Sequence, residues 1–267
     1  MLALKQAAGQ LFLGSLLTFC FMGVAESAVR PDAHASVEAV EQLMRTIAGD
    51  LHDRHDRAAV QQLIAVFTER GIVSADQAGP WVLLTFNRAG NLQAVAVNAA
   101  RFLSAPPLIQ HAVILHEVEH LKSARGTRRA LDGASRQQPF QAIVRTLVED
   151  ECRAYRREIG HFDRVVRASG GLRAYLVTLP AAERVPIQQY YQRQVQPVVT
   201  QDGRIDEGRL RDLVFFGTFP KRYRRYYEAA LAWEALQGHV EIRRGHDGML
   251  YPTQLLAPAA FLAWLLP

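Results

Sequence analysis

The sequence predicts an α+β fold, a mainly helical domain with a small β-hairpin or sheet. Three observations predict it: apolar residues at helical spacing before residue 70, two short β-rich runs between residues 81 and 97, and helical spacing again from residue 108 onward. Val37, Val40, Met44, Ile47 and Leu51, then Val60, Leu63, Ile64 and Phe67, predict a helical segment over 37–69 in two halves, the second closed by Gly71. The polar stretch 52–57 (HDRHDR) between the halves reads as a solvated helix face. Runs 81–86 and 92–97, separated by Asn87-Arg88-Ala89-Gly90-Asn91, read as a hairpin. Pro106-Pro107 then opens a long apolar helix from Leu108 to about Lys122. After a loop of Gly, Ser, Arg and Gln, a second helix runs from Phe140 to about Ile159. Residues 181–194, 206–216 and 221–236 read as further helices, and no internal repeat or low-complexity linker divides the chain.

Composition bounds the rest. Of 267 residues, 49% are hydrophobic and 21% charged, which supplies a core, and with 18 Gly and 12 Pro the chain is neither collagen-like nor disordered throughout. The formal charge of +5 is small and the arginines are spread along the chain, so no nucleic-acid partner is expected. Residues 1–25 read as a secretory signal: Lys5 precedes an apolar run over 11–25 that ends in the small residues Gly23-Val24-Ala25. That run is shorter than the ~20 residues a membrane-crossing helix needs, so no stable span is expected after cleavage. The protein is thus expected to be exported, periplasmic or secreted, with 26–267 forming one domain that carries helical N- and C-terminal flanks. Without the leader and its Cys20, only Cys152 remains, and no intramolecular disulfide can form. The C-terminal run 255–267 is too short and too proline-broken to span a bilayer and is expected to pack on the domain.

Chemistry concentrates at His116-Glu117-Val118-Glu119-His120, an HExxH pattern. On a helix the two histidines share a face one turn apart, which lets two imidazole nitrogens reach one Zn²⁺ at ~2.0–2.1 Å. Glu117 is rotated about 100° from His116, so it can hold a water instead of the metal. The apolar run Ala112-Val113-Ile114-Leu115 before the motif, and Leu121 after it, make this helix apolar on most sides. A buried helix does not carry two histidines and two glutamates idly.

Two histidines do not close a site. On the second helix Glu151 projects into the middle of the stripe of Phe140, Val144, Leu147, Val148, Ala154 and Tyr155, whereas Glu149 projects among Arg145, Arg153 and Arg156. Glu151 is therefore the expected third ligand of a single zinc ion, the alternative being a buried salt bridge with the ligand elsewhere. Glu149 is expected to pair with Arg153 at i,i+4 on the surface.

HEVEH on one helix, followed by Glu151-Cys152-Arg153-Ala154 on a later one, resembles the gluzincin group of zinc metallopeptidases over roughly residues 81–159. The resemblance implies that His116, His120 and Glu151 bind zinc and that Glu117 is the general base of peptide-bond hydrolysis. It also implies a zincin-like domain in which a strand beside the active-site helix pairs with an extended protein or peptide substrate. One departure stands out: many relatives carry an aspartate four residues after the ligand glutamate, where this chain has Tyr155. Two other readings stay open, an exported zinc-binding scaffold without catalysis and a hydrolase of a non-peptide amide such as one in the cell wall.

Other residues are weaker candidates. Cys152 reads as a buried small hydrophobe and His111 as a polar edge residue. His161, Tyr155, Tyr190 and Tyr191 are possible oxyanion donors among which nothing selects. The run 221–227 (KRYRRYY) reads as an amphipathic helix with arginines outward and tyrosines inward.

Overall fold

The computed structural model describes residues 33–74, 81–134 and 139–265. The expected leader over residues 1–25 lies outside them. Among the described residues, no helix is long and apolar enough to cross a membrane.

Two helices open the described chain, α1 (Ala33–Asp50) and α2 (Arg54–Arg70). Asp53 caps α2, its carboxylate accepting from the amides of His55 (2.8 Å) and Asp56 (2.9 Å), as a short polar side chain does at a helix start. The apolar positions expected from the spacing, from Val40 to Phe67, are all buried. The stretch 52–57 departs from a solvated face at one residue. Asp56 is buried and pairs with Lys122 and Arg157, tying α2 to the two long helices described next.

The sheet has three strands, β1 (Ile72–Ser74), β2 (Val82–Phe86) and β3 (Leu92–Asn98), in the order β1-β3-β2. The expected hairpin is β2–β3, antiparallel with Val82 opposite Val97; β1, which was not expected, pairs parallel to β3. β2 is an outer strand of the sheet. The hairpin turn closes on Asn87, whose side chain accepts from the amides of Ala89 and Asn91, both at 2.9 Å. Gly90 sits in the left-handed region (φ +77°), and a Cβ there would lie 2.9 Å from the Arg125 Cα. The turn thus rests directly on the backbone of the helix that bears the HExxH motif.

A short helix α3 (Ala99–Leu103) leads to α4 (Pro107–Ala134) and α5 (Pro139–Ala168). α4 starts on its proline, which lacks only an amide that the first turn leaves unpaired anyway. Both helices outrun their expected ends, α4 by about three turns past Lys122 and α5 by about two and a half past Ile159. Gly126 and Gly160 continue as helix because packing between the two helices outweighs the ~1 kcal/mol propensity penalty of an interior glycine. α4 buries Ala112, Ile114, Leu115 and Val118, and α5 buries Val144, Val148, Ile159, Phe162 and Val166.

The remainder is helical in short pieces: α6 (Leu172–Thr178), α7 (Ala181–Tyr190), α8 (Glu207–Asp212), α9 (Phe219–Arg222) and α10 (Arg224–Leu236). Two π-helical turns, Tyr191–Val195 and Leu213–Thr218, follow α7 and α8. A second hairpin, β4 (Val240–Arg244) with β5 (Leu250–Leu255), lies where no element was expected. The C-terminal run packs back as anticipated: Leu265 is buried, and the Trp264 indole donates to Glu234, which is itself fully buried and bonded to His239 at 2.9 Å.

Replacing Gly90 by Ala forces a side chain into the left-handed region and against the backbone of α4. Chemical denaturation is expected to report a loss of about 2–3 kcal/mol. A variant as stable as the parent would show that the turn does not rest on α4.

Candidate metal centre

α4 and α5 pack antiparallel, and their pairings run in opposite directions: His116 meets Glu158 while His120 meets Asp150. In a pair of packed helices, contacts of this kind recur every turn, so two histidines four residues apart each face their own acid from the neighbouring helix. His116 Nδ1 lies 2.6 Å from Glu158, and His120 Nδ1 lies 2.8 Å from Asp150. Asp150 is further held by the hydroxyls of Ser123 (2.6 Å) and Thr127 (2.8 Å) and by Arg153 (2.8 Å). Glu158 also accepts from the Tyr190 hydroxyl. These acids orient both rings so that the two Nε2 atoms face each other across 3.1 Å.

Glu151, fully buried, completes the group. Its two oxygens lie 3.6 Å from the Nε2 atoms of His116 and His120, and the three residues together form a set able to hold a metal ion. The alternative of a buried salt bridge is also realised, on the same side chain: Glu151 Oε1 forms an ion pair with Arg222 (3.1 Å) and accepts from the Tyr223 hydroxyl (3.0 Å). Oε2 has no hydrogen-bond partner. Glu117, 3% exposed, likewise buries an Oε2 without a partner.

The donor set suits a divalent cation on three counts. With carboxylates bonded at both Nδ1 atoms, deprotonating the rings leaves lone pairs at Nε2, and lone pairs 3.1 Å apart repel unless a proton or a metal cation lies between them. A tetrahedral ion bonded at ~2.0–2.1 Å sets its donors roughly 3.4 Å apart, close to the 3.1 and 3.6 Å found. Burial pushes the His116 ring toward neutrality, yet Glu158, Glu151 and Glu117 override it and hold the ring up at about 10, so the pocket draws positive charge. Burial likewise pushes Asp150 up, but His120, Ser123 and Thr127 bring it down to about 2, which keeps it an acceptor at neutral pH.

The centre opens on a cleft of about 840 Å³ lined by His116 and Glu117, by Trp81 with Val82 and Leu83 at the start of β2, and by residues of both π-helical turns. π-Helical turns recur at functional sites because they redirect side chains within a helix.

The four motif residues expected to act together, His116, Glu117, His120 and Glu151, are thus buried in one place. Other expectations need correction. Glu149 is exposed and it is Asp150 that pairs with Arg153, at i,i+3, because Asp150 faces α4. Tyr155 does not replace the missing aspartate: its hydroxyl bonds Thr218 at 2.7 Å and its ring packs edge-on against His116. Tyr190 is engaged by Glu158, and His161 stacks with His111 at 6.3 Å. Arg222 in the 221–227 run points inward to Glu151, against the expected outward arginines. Cys152 is buried, and its apolar surroundings push the thiol up to about 12.

Sequence reasoning missed Asp150, Glu158, Arg222 and Tyr223. Glu158 carried a usable signal: it lies seven residues after Glu151, two turns along the same face of α5. Arg222 and Tyr223 carried none, being some seventy residues away. Compared with known proteins, the chain matches no family model, no curated protein and no solved structure.

Asp150→Asn and Glu158→Gln are each expected to weaken the site's affinity for a divalent cation, with Zn²⁺ as the probe, about 10- to 100-fold, measured by competition with a chromophoric chelator. Affinity unchanged in both variants would remove these acids from the site. Burial, with His111, Arg164 and Arg157 nearby, pushes His161 down to about 4. Its imidazole resonance is expected to titrate there rather than near ~6.5. Since the unfolded chain takes up the proton first, His161 withdraws stability as pH falls from ~6.5 toward 4 and none above.

Proposed function

We propose that the chain is a zinc-dependent metallopeptidase of gluzincin type, with His116, His120 and Glu151 as the residues that hold the ion. One observation carries this reading: Glu117 buries a carboxylate oxygen without a hydrogen-bond partner beside two facing imidazoles, at the wall of an open cleft. Burying such a group costs stability, so its position calls for a use. When bound, zinc supplies Lewis acidity, polarising the substrate carbonyl and making water acidic enough to attack near neutral pH.

The chain's own residues supply the proton traffic and the positioning. Glu117 takes a proton from the attacking water as the carbonyl carbon is attacked, then delivers it to the leaving amine as the C–N bond breaks. Asp150 and Glu158 hold the imidazoles in the tautomer that leaves Nε2 unprotonated. Arg222 and Tyr223 occupy Glu151 Oε1, which fixes the carboxylate and leaves Oε2 facing the histidines. β2, an outer strand with Val82 and Leu83 on the cleft, offers an edge along which an extended peptide can add.

Three protein ligands converge among the described residues, whereas a structural zinc site closes with four, which supports a hydrolase over a scaffold. With residues 1–25 as a leader, the substrates are proteins or peptides outside the cytoplasm.

Glu117→Gln is expected to lower peptide hydrolysis about 100- to 10,000-fold while about one zinc per chain is retained, as read by a fluorogenic peptide library and metal analysis. Hydrolysis at the parental rate by this variant would overturn the role given to Glu117.

A further inference from the structure

Charge is unevenly distributed around the cleft. Of the charged side chains lining it, Arg222 is taken by Glu151, Glu158 by His116 and Tyr190, and Glu117 stands beside the histidines. The other three are all cations, Arg101, Arg193 and Lys221. They come from three separate segments: α3, the π-helical turn after α7, and α9. Arg101 lies over the Trp81 ring, 4.9 Å from its centre. Arg193 and Lys221 are exposed, and among the described residues neither has an ion-pair partner. A cleft with low-dielectric walls concentrates the field of Arg193 and Lys221 and draws anionic ligands into it.

We propose that this cleft selects peptides bearing acidic side chains close to the bond placed at the metal centre, with Arg193 and Lys221 as the residues that set the preference. The nature of the chain that enters rests on the peptidase reading; the charge it carries does not. Nucleic acid is the poorer fit, because the aromatic faces on which bases would stack are engaged: Trp81 by Arg101, Tyr190 by Phe162 and Tyr155 by His116.

The test measures fluorescence anisotropy of labelled peptides with zinc-loaded Glu117→Gln protein. The probes are an Asp/Glu-rich peptide with an amidated C-terminus, a Lys-rich amidated peptide, an uncharged peptide with a free C-terminal carboxylate, and a single-stranded oligonucleotide. The acidic peptide is expected to bind tightest, more weakly as salt rises. The double variant R193E/K221E is expected to weaken its binding about tenfold and to improve that of the Lys-rich peptide. R193Q/K221Q, which only removes charge, is expected to move both affinities the same way by less, and it decides the matter should the reversal misfold. Affinities unmoved by either pair overturn the proposal, as does tighter binding of the free-carboxylate peptide or of the oligonucleotide. Wild-type hydrolysis of peptides without acidic preference overturns it too, and leaves the peptidase reading standing. Acidic-peptide binding with no peptide hydrolysed by the wild type keeps the acidic preference and overturns the peptidase reading.

Discussion

Four carboxylates and two imidazoles, none more than 8% exposed, surround a single point between α4 and α5, and the rest of the structure answers to that concentration of charge. Groups of this kind lose hydration that only close partners can replace. Arg153 pairs with Asp150 and Arg222 with Glu151. With all four acids ionised and the rings neutral, two negative charges are left over, which is what one divalent ion supplies. The three-residue set facing that point, and the unpartnered oxygens on Glu117 and Glu151, are the local expression of the same imbalance.

The antiparallel packing of α4 on α5 makes this arrangement possible. Each histidine meets one acid at Nδ1, and a third acid faces both Nε2 atoms, so one helix supplies the rings and the other everything that orients them. Further elements brace the pair: Asp56 of α2 reaches Lys122 and Arg157, and the hairpin turn at Gly90 rests on α4 at Arg125. A site that relies on positions good to a few tenths of an ångström gains from such bracing because it sits on rigid helices rather than loops.

The segment after α8 contributes differently. Its π-helical turn and α9 line the cleft and send Arg222 down to Glu151, while neighbouring Lys221 stays at the surface. One short stretch therefore serves both the buried ligand and the charge of the opening. The basic–aromatic composition of 221–227 is divided by depth, with Arg222 and Tyr223 used inside and Lys221 outside.

The amino-acid sequence by itself determined the principal helices, the β2–β3 hairpin, the HExxH face and the inward direction of Glu151. Each of these follows from a local period or spacing that a single segment expresses whatever its neighbours. It under-read the lengths of α4 and α5, because interhelical packing carries Gly126 and Gly160 through positions where propensity favours a stop. It missed β1, which exists only by pairing with β3, and the π-helical turns, which have no distinct residue pattern. Glu158 was legible as lying two turns from Glu151 on one face of α5, but its pairing with His116, the pairing of Asp150 with His120 and the Arg222–Glu151 pair were decided by tertiary structure alone. A carboxylate's partner depends on which side chain lies across a helix interface or seventy residues away, and no periodicity within one segment encodes that distance.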